Sequence, residues 1–381
     1  MADLSKPSRR LMTVLAGIAL LAFFTVVAGV EVLPSPSLIH VVLALGVMPL
    51  ILGAMMYFTP VLTHSRAPAL PWLMFPLLAL ASGALAVVFM SWRRELLFIP
   101  LLLALVAIAT VFGWMLHRAR TMLGRPHPGL YWYAWALACL FLGLTAMLAA
   151  TLLPDHWANL RQFHLHINLL GFVGLTAYGT LRVLLPTVAA YADPSARECL
   201  RRDLYIMVAG TLLIAVGSFS NAWLMWPGLM LWLIPLMRFA VPLVLRWRKH
   251  VWGWHRPGTS LGFAVFGLIT VLVSGGVHAV GALPAYSALP LFFYMFLFPL
   301  VTGAVSYLLP VWLWPARNNA AYEIAARRLA WGSGARALVF FMAGGMALAG
   351  ISGAAYLAGA VMLVFLAQVI LALSARFSTP V

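Results

Sequence analysis

Apolar residues in this chain run for about twenty positions at a time, broken by Pro, Gly or clusters of charge. Twenty helical residues rise about 30 Å, the thickness of a bilayer's hydrocarbon core. The pattern predicts twelve spans, over 12–33, 39–62, 71–91, 96–116, 131–153, 163–187, 205–221, 223–245, 260–282, 288–314, 335–352 and 354–374. The seventh is short and meets the eighth at Ser220-Asn221. The first follows Lys6, Arg9 and Arg10 but is too long for a signal peptide's apolar region, and no small-residue cleavage site follows Val30-Glu31. It is expected to stay in the protein as a helix.

Composition agrees with this pattern. Of 381 residues, 64% are hydrophobic and only 8% charged, against the roughly 25% charge of soluble domains. So few charges cannot cover a water-exposed surface, which excludes a soluble enzyme, a disulfide scaffold and a disordered chain. The net charge of +16 then reports topology and not nucleic-acid binding. With the N-terminus inside, 19 of the 24 Lys and Arg fall on the cytoplasmic side, and only Arg93, Arg94 and Arg161 fall outside. Arg182 and Arg238 lie within spans. That bias predicts a multi-pass protein of a bacterial inner membrane with both termini cytoplasmic. Cys139 and Cys199 form no CxxC or CxxCH, which removes a disulfide framework, a structural zinc site and covalent c-type haem.

The second, sixth and tenth spans share a pattern. They end at Pro60, Pro186 and Pro310, and seven residues before each proline stands Gly53, Gly179 or Gly303. Twenty before it stand His40, His166 and Pro290. The chain therefore reads as one all-α membrane domain, 1–381, of three pseudo-threefold repeats of four helices (about 12–117, 131–245 and 260–374). The glycines either let helices approach closely or admit a flat ligand.

Twelve helices in this array, with histidines on the second and sixth, resemble subunit I of the haem–copper oxidase superfamily. In character the chain is closest to its small NnrS-type haem- and copper-containing relatives. The resemblance implies metal or haem ligands on the second, sixth, seventh and tenth helices, carried here by His40 and by His166 or His164. The seventh span, YIMVAGTLLIAVGSFSN, has no His-His pair, the tenth has no His-x-His, and HINLL follows His166 in place of the cross-linked His-Pro-Glu-Val-Tyr motif. An oxygen-reducing centre cannot be built from these residues.

Topology sorts the ten histidines. His64, His127, His117, His250 and His255 fall in cytoplasmic loops, as interfacial residues. His40, His156, His164, His166 and His278 fall at the outer ends of spans or just outside them, at one depth with Glu31 and Asp155. Imidazole ligates haem iron and also copper or zinc. The candidates are thus His40, His166 and His164 for a haem b, and His40, His166 and His278 for copper. The competing reading is that they are polar core residues with their hydrogen bonds satisfied. His164 and His166 sit about 200° apart around a helix, so both cannot serve one metal, whereas His164 and Asn168 share a face. The repeat match favours His166 as the inward ring. Arg182 is expected to snorkel to the inner surface, and Arg238 to pair with a carbonyl or an anionic group.

These readings converge on a haem- or copper-binding protein of respiratory or nitrosative metabolism, with the bilayer and a respiratory-chain or haem/copper protein as partners. The alternative is a cofactor-free permease or an assembly partner of a respiratory complex.

Overall fold

In hydrocarbon each backbone N–H and C=O must find its partner within the protein, and this chain meets that demand with helices. The computed structural model describes residues 6–28, 35–317 and 319–375, and no strand occurs among them. Among the described residues ten helices are long and apolar enough to cross a membrane. They are α1 (Lys6–Thr25), α2 (Pro36–Leu62), α3 (Leu70–Trp92), α4 (Arg94–Thr121), α5 (Gly129–Leu152), α6 (Pro154–Val188), α8 (Ala222–Leu245), α9 (Pro257–Ala279), α10 (Ala288–Leu313) and α12 (Ala354–Ser374). Two further helices, α7 (Ala196–Gly217) and α11 (Ser333–Leu348), stand where the seventh and eleventh spans were expected. α7 starts earlier than its apolar run, because Arg197, Glu198, Arg201, Arg202 and Asp203 continue the helix as a polar first half. α11 has 16 residues, about 24 Å of rise, so it falls short of the usual span length.

Three helices widen into π-helix near their beginnings. The segments are Val41–Val47 in α2, Ile167–Gly174 in α6 and Phe292–Leu297 in α10. The residue after each segment bonds five residues back: Met48 to Leu43, Leu175 to Leu170, and Phe298 to Phe293. Pro49 and Pro299 stand two residues after the ends of two of these segments. A proline ring collides with the carbonyl four residues earlier in an α-helix, and the wider turn relieves that collision. In α6 no proline follows; Gly171 and Gly174 occupy the turn instead.

The ends of α2 and α6 also match. Ser65 N–H donates to the carbonyl of Pro60 at 3.0 Å, and Tyr191 N–H to that of Pro186 at 2.9 Å. Each closure needs a left-handed residue four positions after the proline, and these are His64 (φ 49°) and Ala190 (φ 51°). Neither is glycine, so both carry a Cβ penalty.

The chain's contacts gather into two compact units. One holds 1–180 and 195–232, the other 181–194 and 233–381, so α6 and α8 supply residues to both. The division falls inside the second expected repeat. In the first unit α1 packs along α2, α3 lies against the π segment of α2, and α5 packs on α4 and α6. Trp132 Nε1–H reaches the Leu200 carbonyl (3.0 Å) and Trp232 Nε1–H the Thr211 hydroxyl (3.1 Å), tying α7 to its neighbours. In the second unit α9 packs on α10 and α11, while the short amphipathic helix Ala320–Ala330 lies on α10 and α12.

The aligned glycines are packing positions. A Cβ on Gly53 would stand 2.7 Å from Leu15 Cδ1, one on Gly179 2.7 Å from Trp132 Cβ, and one on Gly303 2.9 Å from Ser260 Cβ. Each contact comes from a neighbouring helix (α1, α5 and α9), so the first use of these glycines holds and protein fills the space. Glycine also admits backbone to backbone at two π segments: Gly83 faces the Ala44 carbonyl and Gly267 the Met295 carbonyl.

Two arginines depart from the sequence reading. Arg182 does not snorkel. It is 3% exposed, its Nη2 is 3.1 Å from Asp193 Oδ2, and its guanidinium lies 4.6 Å from the ring centre of Phe239. The loop after α6 folds back to deliver that carboxylate, which a helix-by-helix reading cannot see. Arg336, counted above as a cytoplasmic charge, is buried within α11. It donates to Gln368 Oε1 (3.1 Å), Ser306 Oγ (3.1 Å) and Ser333 Oγ (3.0 Å), with its guanidinium 4.2 Å from the ring centre of Phe365. Arg238 lies on the exposed side of α8. Glu31 and Arg376 lie outside the described residues.

Two outcomes test this packing. Ala190→Gly removes the left-handed Cβ penalty and is expected to stabilise the detergent-solubilised protein by about 1 kcal/mol in equilibrium unfolding; unchanged or lower stability would refute the strained helix end. Gly179→Ala forces a methyl group onto Trp132 and is expected to cost about 1–3 kcal/mol in the same assay. A neutral result would mean that α5 and α6 do not meet there.

Candidate functional site

α2 and α6 each carry histidine just ahead of the π segment. His40 directly precedes Val41, and His164 and His166 fall in the last turn of α-helix before Ile167. The ring facing His40 is that of His164. The ring centroids are 6.4 Å apart and the planes are 8° from parallel. Both residues belong to the first unit, and both are half-buried.

Backbone carbonyls set the tautomers. His40 Nδ1 lies 2.7 Å from the Pro36 carbonyl, one turn back along α2. His164 Nδ1 lies 2.9 Å from the Gly143 carbonyl on α5. A carbonyl can only accept, so each Nδ1 carries the hydrogen and donates it. That leaves the lone pair on Nε2, the arrangement in which metal-ligating histidines are usually held. His166 follows the same rule, with Nδ1 2.9 Å from the Gln162 carbonyl. The angular separation around α6 points it away from the face that His164 uses.

Asn168 joins the pair as its spacing from His164 suggests. Its Nδ2 lies 3.1 Å from His164 Nδ1 and 3.4 Å from Nε2; because Nδ1 carries the hydrogen, only Nε2 can accept from this amide. Its Oδ1 is buried with no hydrogen-bond partner. A buried acceptor left unpaired costs about 1–3 kcal/mol. The amide is pressed into place by α5, since a Cβ on Gly143 would stand 2.7 Å from Asn168 Oδ1. The four-residue spacing showed the Asn168 contact in advance, but nothing local in sequence marked Gly143 as the carbonyl that orients His164.

The other candidates fall elsewhere. His278 ends α9 in the second unit, where its Nδ1 donates to the Leu283 carbonyl at 2.7 Å. Asp155 and His156 lie exposed in the turn that opens α6. Among the described residues no group of three or more His, Cys, Asp or Glu is placed to hold a metal ion. A cavity of about 420 Å³ opens in the second unit, walled by Ile269, Thr270, Val273, Ser274, Val277 and Leu348. Its walls are almost wholly apolar, so it offers no ligating chemistry.

On the loop side, His127 Nδ1 accepts the Gly129 N–H at 3.1 Å as α5 begins. Burial pushes this imidazole below its ordinary 6.5, and Arg197, Arg201 and His64 push it the same way. It is a neutral capping residue with no ligating role.

No family model matches the chain, and no curated protein matches it.

Proposed function

We propose that this chain is a haem- or copper-binding protein of a bacterial inner membrane, with His40 and His164 as the ligating pair. The observation that carries the reading is the pair itself: two parallel imidazoles from different helices, each with Nδ1 tied to a carbonyl and its lone pair on Nε2, that of His164 lying 3.4 Å from the Asn168 amide. Two fixed imidazoles suit haem iron or copper. His166, favoured by the repeat match, lies on another face of α6, so His164 takes its place in the assignment.

The proposal includes the larger architecture, with α7 and α11 as the two spans that complete twelve. Three repeats of four helices, as in haem–copper oxidase subunit I, gain support from the matching π segments of α2, α6 and α10 and from the matched ends of α2 and α6. Because the seventh span has no His-His pair and the tenth no His-x-His, the role proposed is redox support or sensing in respiratory or nitric-oxide metabolism, and not oxygen reduction.

Protein purified after haem- and copper-replete expression should show a Soret band or stoichiometric copper, and His40→Ala and His164→Ala should each lose most of it while still inserting at normal levels. A parent protein free of both would overturn the reading in favour of the permease. Orientation is tested separately. Reporters fused after Arg125 and Arg256 are expected in the cytoplasm and one near Ala282 outside; export of either basic loop would overturn the inside placement of the termini.

A further inference from the structure

We propose that the basic rim of the second unit, formed by residues 246–256 with the helix Ala320–Ala330 and Trp331, is a preformed docking surface for the headgroups of anionic phospholipids. The inference is independent of the histidine pair on α2 and α6.

Two segments distant in sequence are locked into one surface. His255 Nδ1 accepts the Gly332 N–H at 3.0 Å, across 77 residues of chain. The same imidazole stacks on Trp331, with ring centroids 6.1 Å apart and planes 15° from parallel. Beside it the Trp254 carbonyl accepts the Gly334 N–H at 2.9 Å. Both donors have to be glycine. Gly332 is left-handed, at φ 68°, and a Cβ on Gly334 would stand 2.9 Å from the Gly253 carbonyl oxygen. The loop ahead of α9 thus caps the start of α11. The surface is in place before a ligand arrives, so binding requires little ordering of the chain.

Its charge is not balanced from within. Arg246, Arg248, Lys249, Arg256, Arg327 and Arg328 are all exposed. From 233 to 381 the sequence holds ten Lys or Arg and a single carboxylate side chain, Glu323. Among the described residues no ion pair engages any of the six. Arg256 donates to the Lys249 carbonyl and Arg328 to that of Leu371, contacts that position the guanidinium groups without neutralising them. Topology alone asks for basic loops. It does not ask that two of them be locked together around a stacked imidazole and indole.

Depth identifies the occupant. The helix Ala320–Ala330 buries Ala321, Ala325 and Leu329, four residues apart, against α10 and α12, and exposes Glu323, Arg327 and Arg328. It is an amphipathic strap of the kind that lies in a membrane boundary. Trp254 and Trp331 are 65% and 61% exposed, beside the first residues of α9 and α11. Exposed indoles at the ends of spanning helices sit at headgroup level. A soluble polyanion would meet the charges but make no use of the indoles, whereas an anionic lipid offers a phosphate to the basic groups and apolar surface to the rings.

The test uses the full-length protein in detergent micelles doped with phosphatidylglycerol or phosphatidylcholine, read by native mass spectrometry and by the lipid-induced rise in Tm. The parent should retain phosphatidylglycerol and gain Tm from it, and do neither with phosphatidylcholine. The triple variant Arg248→Gln, Lys249→Gln, Arg327→Gln should weaken phosphatidylglycerol binding by at least about tenfold, with its lipid-free Tm unchanged. Arg93→Gln with Arg94→Gln, in the first unit, should bind as the parent does. His255→Ala removes no Lys or Arg but unlocks the two segments, and it should weaken binding as well. A parent that does not distinguish the two lipids, or a triple variant that binds like the parent, would overturn the docking surface. Equal weakening by the Arg93 and Arg94 changes, or parent-like binding by His255→Ala, would reduce the effect to net charge and overturn the preformed surface. Displacement of the lipid by an equal concentration of glycerol phosphate would assign the rim to a soluble anion instead.

Discussion

Hydrocarbon offers no hydrogen bonds, so a chain with this composition has to close its backbone polar groups within itself. Most of the helices do this with an unbroken α pattern. In α2, α6 and α10 the pattern widens, and a wider turn leaves a carbonyl out of line with the helix. Two such carbonyls, at Ala44 and Met295, meet Gly83 and Gly267 on neighbouring helices, where the missing side chain lets a Cα–H approach. Widening one helix therefore requires a small residue on the next. The glycines and the π segments are a single device, and a side chain at either glycine would have to push the two helices apart.

The same demand governs the few charges inside. Arg182 is matched by Asp193, an ion pair with both side chains at most 5% exposed. Arg336 has three neutral oxygen partners and an aromatic face, which spread its charge over dipoles. Burying a guanidinium without such partners would cost several kcal/mol. The histidines obey the rule as well: His40, His164, His166 and His278 each give Nδ1 to a carbonyl. In three of them the carbonyl is local, within five residues. Only His164 crosses to another helix, and its ring is the one that faces His40.

Periodicity and composition alone revealed the elements. Apolar runs located the helices, and prolines at 60, 186 and 310 located matching points on three of them. What sequence could not reveal was geometry finer than a turn. The π segments follow no motif, since two precede proline and the third does not. The polar start of α7 was hidden because helix continuation there depends on solvated Arg and Glu, not on apolar periodicity. The partner of Arg182 was hidden because Asp193 arrives through a returning loop. At the candidate site the residues were legible and their pairing was not. Matching by proline aligns His40 with His166, which is sound for positions along the helix axis.

The pairing turns on rotation about that axis. Two residues on an α-helix differ by about 200°, so His164 and His166 address opposite neighbours whatever their depth. A π segment adds a residue to the turn and shifts the phase of everything before it relative to everything after. Both histidines of α6 precede the segment, and Gly179 and Pro186 follow it. Aligning three helices on their prolines carries the register backward through a phase shift whose length differs, eight residues in α6 against seven in α2 and six in α10. Positions after the segment keep a common sequence offset from the proline, and the glycines there each meet a neighbouring helix. Positions before it are turned by only about 20° for each residue of difference, too little to exchange His166 for His164, so the choice between the two rings is made by the Gly143 carbonyl on α5 that holds His164.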